Sequence, residues 1–174
     1  MSTIEEIAIR EARPEDAGGI AAIYAYYVAN TVITFDTTPP TAHEWRRRVG
    51  ELVGAGMPFL VGVRGEELLG YALAAPWKPK PAYRHTIEVT IYLAPAHTGR
   101  GYGRRLLDEL LARCAATGLR QAVAVIADTG EPASLALHNA AGFTLVGRLR
   151  EVGHKHGRWV DTVLMQRELS TSAG

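Results

Sequence analysis

Residues 87–111, IEVTIYLAPAHTGRGYGRRLLDELL, constrain the fold more than any other stretch of the chain. They read as a strand, a glycine loop and a helix. Ile87, Val89 and Ile91 alternate with Glu88, Thr90 and Tyr92, the period of a half-buried strand. Pro95 has no N–H to donate and ends the ladder. Leu106, Leu107, Leu110, Leu111 and Cys114 then recur at helical spacing, with Arg104, Arg105, Asp108, Glu109 and Arg113 on other faces. A helix placed so is a crossover, and the apolar segment after it, residues 121–127, should run parallel to the first strand. In the turn, Gly99, Gly101 and Gly103 are interleaved with Arg100, Tyr102 and Arg104. A glycine turn opening a helix offers unpaired N–H groups and the positive end of a dipole, which suits a phosphate. The other reading is a tight βα turn that uses glycine for geometry alone.

Two phosphate motifs are excluded. There is no Gly-Lys followed by Ser or Thr, as the phosphate loop of nucleotide triphosphatases requires. The spacing GxGxG is not the GxGxxG of dinucleotide sites. The remaining composition narrows the class further. The chain has 174 residues, 47% of them apolar, which fits one domain with a sizeable core. We expect one domain to occupy residues 1–169, with 170–174 (STSAG) as a disordered tail. A net charge of +1 gives no electrostatic case for nucleic acid or an anionic membrane. The arginines after Trp45 are flanked by Glu44 and Glu51 and read as a solvated helix face. The single cysteine, Cys114, sits on an apolar stripe and reads as core packing; its isolation suits a reducing cytoplasm. The first residues lack the basic and apolar regions of an export signal, and no apolar run approaches the length of a membrane span. The histidines show no metal spacing; His154 and His156 should share a strand face without a third ligand.

Along the chain, residues 7–10 read as a strand and residues 14–27 as a helix. Residues 31–38 read as an extended, turn-rich segment. A helix over 41–53 opens with the capping box Thr41-Ala-His-Glu44. Strands at 59–64 and 68–74 form a hairpin about Gly65 and Glu66, and a proline-rich loop follows. After the central unit, which ends at Gly118, come a strand at 121–127, a helix at 132–141 closed by Gly142, and strands at 144–150 and 158–167. The fold class is a single-domain α/β structure, a mixed, mostly antiparallel sheet flanked by helices.

This order and the glycine loop resemble the GNAT superfamily of N-acetyltransferases over nearly the full length. The superfamily's coenzyme A loop is Gln or Arg, two residues, Gly, any residue, then Gly or Ala. Here it reads TGRGYG from Thr98 to Gly103, with Thr98 in place of Gln or Arg. Finer details resemble the phosphinothricin acetyltransferase branch: NTVITF at 30–35, PTAHEW at 40–45, Pro76-Trp77-Lys78, Ala82-Tyr83, Leu137-His138, Gly142-Phe143 and GHKHGRWVD at 153–161.

The resemblance implies an acetyl-CoA-dependent enzyme, acetyl-CoA being a co-substrate, with no metal. It implies a homodimer acting on the amine of a small-molecule substrate, an amino acid analogue. An amine must lose a proton before it attacks a thioester, so the site needs a base. Glu88, among apolar neighbours that would raise its pKa, is the candidate; the residues alone equally allow a structural carboxylate paired with an arginine. Backbone N–H groups near Tyr92, within Ile91, Tyr92 and Leu93, could hold the developing oxyanion. His138 stands where most of the superfamily has a tyrosine; it could protonate the leaving sulfur or contact the cofactor. Residues 99–104 would hold the phosphates, and Ser134 the pantetheine arm. Glu131 replaces the usual asparagine at that arm, which removes a donor. Phe35, Lys78, Tyr83 and Thr90 should form the acceptor site, with Lys78 and Lys80 pairing with an anionic group or merely solvated in an exposed loop. The branch often has an arginine near position 80, and lysine lacks its bidentate fork. Phosphinothricin, methionine sulfoximine and methionine sulfone are the acceptors implied. A protein N-terminus, a polyamine and a non-catalytic acyl-CoA-binding module are the alternatives.

Overall fold

The computed structural model describes residues 6–169. Seven strands form one sheet: β1 (Ala8–Glu11), β2 (Phe59–Arg64), β3 (Glu67–Pro76), β4 (Thr86–Leu93), β5 (Gln121–Ala127), β6 (Thr144–Lys155) and β7 (Arg158–Glu168). Their spatial order is β1-β2-β3-β4-β5-β7-β6, and every neighbouring pair is antiparallel except β4–β5. The helices are α1 (Ala17–Asn30), α2 (Ala42–Gly54), α3 (Tyr102–Ala116) and α4 (Ala133–Ala140). The predicted α/β class, element order and parallel crossover are those observed. The tail at 170–174, expected to be disordered, lies outside the described residues.

The alternation along β4 divides the core. Ile87 and Val89 face the α3 side, packed with Leu106, Leu107, Leu110, Leu111 and Cys114. Each such leucine contributes about 2 kcal/mol by leaving water. Burial pushes the Cys114 thiol up to about 12, so it stays protonated and inert, as its place on the stripe predicts. On the other face Tyr92 packs beneath α1 and α2, against Tyr24, Trp45 and Tyr71. α2 opens with the expected capping box: the Thr41 hydroxyl accepts from the Glu44 N–H at 3.1 Å, and the Glu44 carboxylate accepts from the Thr41 N–H at 2.7 Å. Gly118, just beyond α3, has φ +82°, the left-handed stop that glycine takes without strain.

Three expectations need correction. Residues 14–16 form a separate 3-10 turn, and α1 begins at Ala17 and runs on to Asn30. β6 does not stop at Arg150: two register shifts against β7 carry it to Lys155. The alternation breaks at those bulges, with Glu151 at φ +51°, so a strict period-two reading loses the strand there. His154 and His156 do not share a strand face. His154 lies in β6 with its ring 4.5 Å from that of Trp159, while His156 has φ +50° in the turn that follows.

Candidate active site

The parallel pairing of β4 with β5 is short: only Thr86, Ile87 and Glu88 find partners, in Gln121, Ala122 and Val123. Beyond Glu88 the strands part. A cavity of about 430 Å³ opens in the gap, lined by Glu88 to Tyr92 of β4 and Ala124 to Ala127 of β5. Its other walls include Tyr24 of α1, Trp45 and Arg48 of α2, Tyr71 of β3, His138 of α4 and Thr162 of β7.

The β4 backbone lacks partners on this side. Its register with β3 is unbroken from Ile87 to Leu93. The Thr86 carbonyl accepts from Trp77 and the Ala94 N–H donates to Leu69, so even-numbered residues bond toward β3. By the alternation of an antiparallel ladder, Val89 and Ile91 turn their N–H and C=O groups toward the gap. The Tyr92 N–H, named above as a candidate donor region, therefore points to β3, and those of Val89 and Ile91 are the ones available. The Leu93 carbonyl is taken by the Tyr27 hydroxyl at 2.5 Å.

Glu88 is half-buried where the strands part. Desolvation raises its pKa, and the positive charges of Lys78 and Arg48 partly oppose the rise. Among the described residues no arginine forms an ion pair with it, Arg48 acting only through its charge. His138 is 3% exposed and stands edge-on to Phe143 at 5.2 Å. Its Nδ1 lies 2.8 Å from the Ser134 carbonyl, an acceptor, so Nδ1 carries the hydrogen and Nε2 is the free acceptor. Burial lowers its pKa. A neutral imidazole with a free Nε2 favours accepting from a bound group over protonating one.

A strap over residues 31–36 closes one side of the cavity, with Ile33, Thr34 and Phe35 in its wall. The Tyr24 hydroxyl donates to the Asp36 carboxylate and receives the Thr34 hydroxyl at 2.7 Å. The Lys155 ammonium, 4% exposed, donates to the Thr34 carbonyl at 2.9 Å. A Cβ on Gly153 would come within 2.4 Å of the Phe35 ring. The GHKHGRWVD segment thus holds Phe35 in the cavity wall: glycine at 153 admits the ring and Lys155 ties down its neighbour.

Of the predicted site residues, Glu88, Thr90, Ile91, Tyr92, Glu131, Ser134, His138 and Phe35 meet in this cavity. Leu93 packs against the core instead. Gly99, Arg100, Gly101, Tyr102, Gly103 and Arg104 lie past the end of β4 and outside the cavity's lining. Gly101, at φ +82°, precedes α3 with no side chain capping the first turn. Those helix N–H groups stay open to an anion, and a Cβ at Gly99 or Gly101 would meet nothing within 4 Å. Arg104 is engaged by Asp108 at 2.8 Å. The open β4 edge and the uncapped α3 end together fit an extended ligand with a phosphate-bearing end. Lys78 and Tyr83 do not line the cavity: the Lys78 ammonium lies 4.6 Å over the Trp77 ring, and Tyr83 is 45% exposed. Arg48, Trp45 and Tyr71 do line it, and sequence reasoning missed all three. The first was hidden in an arginine run that resembled a solvated face; Trp45 entered only as the end of the PTAHEW motif, and Tyr71 only as an unremarked residue of the strand at 68–74. No group of three His, Cys, Asp or Glu side chains able to hold a metal occurs among the described residues.

The acetyltransferase (GNAT) domain family matches residues 9–164. A phosphinothricin N-acetyltransferase from Alcaligenes faecalis is 46% identical over 162 residues, covering 93% of this chain and 82% of that one. An L-methionine sulfoximine/L-methionine sulfone acetyltransferase from Pseudomonas aeruginosa is 37% identical, covering 92% and 94%. The crystal structure of a phosphinothricin acetyltransferase from Sinorhizobium meliloti, in complex with AcCoA, superposes with a TM-score of 0.89 at 42% identity, covering 93% of this chain and 88% of that chain. The family match over residues 9–164 and these relatives agree, and the chain belongs to the GNAT family of acetyltransferases.

Proposed function

We propose that the protein transfers the acetyl group of acetyl-CoA directly to the amine of a small amino acid analogue of the phosphinothricin, methionine sulfoximine or methionine sulfone type, with Glu88 as general base. The position of Glu88 carries this reading. Its carboxylate stands at the point where β4 and β5 part, inside the cavity, and burial raises its pKa above that of a free carboxylate, the direction that makes it a better base. The amine would approach from the α1–α2 side, where Glu88 and Thr90 project. The thioester would lie along the open edge of β4, its carbonyl facing the N–H groups of Val89 and Ile91, which need no reorganisation to receive an oxyanion. The phosphates of acetyl-CoA would bind residues 99–104 and the first turn of α3. His138, neutral and with Nε2 free, would accept a hydrogen bond from the cofactor arm. Glu131 and Ser134 border the same arm.

Partners and setting follow from the same reading. Acetyl-CoA and a reduced buried cysteine suit the cytoplasm, and no helix among the described residues is long and apolar enough to cross a membrane. The exposed edge of the sheet at β6 supports a homodimer. A polyamine acceptor is disfavoured by Arg48, a cation in the cavity wall. The test is thiol release from acetyl-CoA with L-phosphinothricin, L-methionine sulfoximine, L-methionine sulfone and spermidine. Turnover of at least one amino acid analogue above spermidine is expected; turnover of spermidine alone would overturn the acceptor class.

A further inference from the structure

We propose that Arg48 binds the anionic oxygens of the acceptor, and that the Trp45 indole N–H and Tyr71 hydroxyl complete this subsite. The inference rests on the amino acid analogue reading above and names the residues that recognise its acid. Every such analogue carries at least one anion beside the amine, so its pocket needs a positive group. Among the described residues lining the cavity, Arg48 alone has a permanent positive charge. The two lysines expected in this role, Lys78 and Lys80, lie outside the lining.

Arg48 is free for the task. Its guanidinium stacks 5.3 Å from the Trp45 ring centroid and makes no ion pair or hydrogen bond among the described residues. Arg47, one position earlier on α2, is by contrast 3.6 Å from Glu51. Stacking on an indole fixes the plane of the guanidinium without consuming its N–H donors, leaving the fork for a planar or tetrahedral oxyanion. Arg48 lines the same cavity as Glu88 and Tyr71, the cavity in which the amine is expected.

The second observation concerns unsatisfied groups. Buried polar atoms without partners are rare and costly. Among the described residues four such side-chain atoms occur, and three belong to walls of this one cavity: Trp45 Nε1, the Tyr71 hydroxyl and the Thr162 hydroxyl. Trp45 and Tyr71 are 3% and 0% exposed, with rings 5.5 Å apart. Arg48, the indole N–H and the phenol all donate hydrogen bonds, so a group that satisfied them together would accept several, as an oxyanion does. The oxygens could come from the α-carboxylate or from a side-chain phosphinate.

The experiment compares Arg48→Met, Arg48→Lys and Tyr71→Phe with the parent. The acceptors are L-phosphinothricin (carboxylate and phosphinate), L-methionine sulfone (carboxylate only) and 3-(methylsulfonyl)propylamine (neither). In Arg48→Met, KM for an anionic acceptor should rise roughly ten- to hundredfold, the scale of a hydrogen bond to a charged group, while kcat falls much less. Arg48→Lys should lie between, and Tyr71→Phe should raise KM several-fold with no loss of melting temperature. A rise shared by phosphinothricin and methionine sulfone, with a collapse of the parent's preference for methionine sulfone over the amine lacking its carboxylate, identifies the carboxylate. A rise confined to phosphinothricin identifies the phosphinate. Unchanged KM for both anionic acceptors overturns the proposal, as does a fall in kcat alone, which would make Arg48 an electrostatic neighbour of Glu88. Thermal stabilisation by acetyl-CoA, retained in each variant, reports an intact fold. A parent inactive on both anionic acceptors overturns the acceptor reading itself.

Discussion

Glu88 and Cys114 are both pushed toward their protonated forms by burial, yet only one of them faces a cavity. The difference is the side of its element each occupies. Glu88 is on the even-numbered face of β4, beside the gap; Cys114 is on the α3 stripe that seals the core. Burial raises the carboxyl's pKa because the charged form loses hydration, and Arg48 and Lys78 return part of that loss. The sign for stability follows. A folded-state pKa raised above the unfolded one means that ionisation costs stability as pH rises through the window between them. Glu88→Gln removes that cost, so its melting temperature at neutral pH should equal or exceed the parent's. Activity should move the other way. With the base gone, turnover should drop by about 10²- to 10⁴-fold. The acid limb of the parent's rate profile, lying above the ordinary glutamate range, should vanish, and partial recovery should come at high pH where free amine is abundant. Near-parental turnover at pH 7 would remove Glu88 from the base role.

The crossover from β4 through α3 to β5 was legible because every local rule agreed: a period-two strand, a proline stop, glycines at the turn and a leucine stripe at helical spacing. Structure adds what no periodicity carries, the early end of β4–β5 pairing after Glu88 and Val123. That parting creates the cavity, and it depends on where the two strands are pulled by β3 and β7. Arg48 escaped notice for a similar reason: within a run of three arginines, only the helix's docking decides which one meets the gap. Lys155 was legible as part of a motif, but its bond to the Thr34 carbonyl spans 121 positions. The loop's own role is testable. Gly101 already sits at φ +82°, where aspartate is tolerated better than most residues at a cost of about 1–2 kcal/mol, and its Cβ would meet nothing. Gly101→Asp should therefore fold, but its carboxylate would stand against the phosphates at the α3 N-terminus. The parent should gain about 2.7 kcal/mol of stability at acetyl-CoA a hundred times its Kd; the variant should gain little. An equal thermal shift in both proteins would mean that the glycines serve the turn alone.

At the scale of the molecule, the two edges of the sheet are unlike. β1 is a four-residue strand, short enough to template nothing. β6 is twelve residues long and lies at the other edge. It exposes Leu145, Val146, Leu149 and Val152, between 48% and 69%, with Trp159 of β7 at 65%. A long apolar edge is an aggregation hazard for a monomer unless something covers it. The proposed homodimer covers it with a second copy. Its bulges and the left-handed Glu151 bend the strand where Arg148 and the Glu151 N–H converge on Asp161, so the edge has a defined shape for a partner to match. The same strand ends in Gly153 and Lys155, which hold the Phe35 strap. Association along β6 would therefore brace the acceptor wall as well as hide apolar surface. The parent should sediment as a dimer at micromolar concentration. Val146→Lys combined with Val152→Glu, both at exposed positions, should yield a folded monomer whose KM for the acceptor rises more than its KM for acetyl-CoA. A parent that sediments as a monomer would remove β6 as an interface, and a monomeric variant with unaltered acceptor KM would separate the interface from the site.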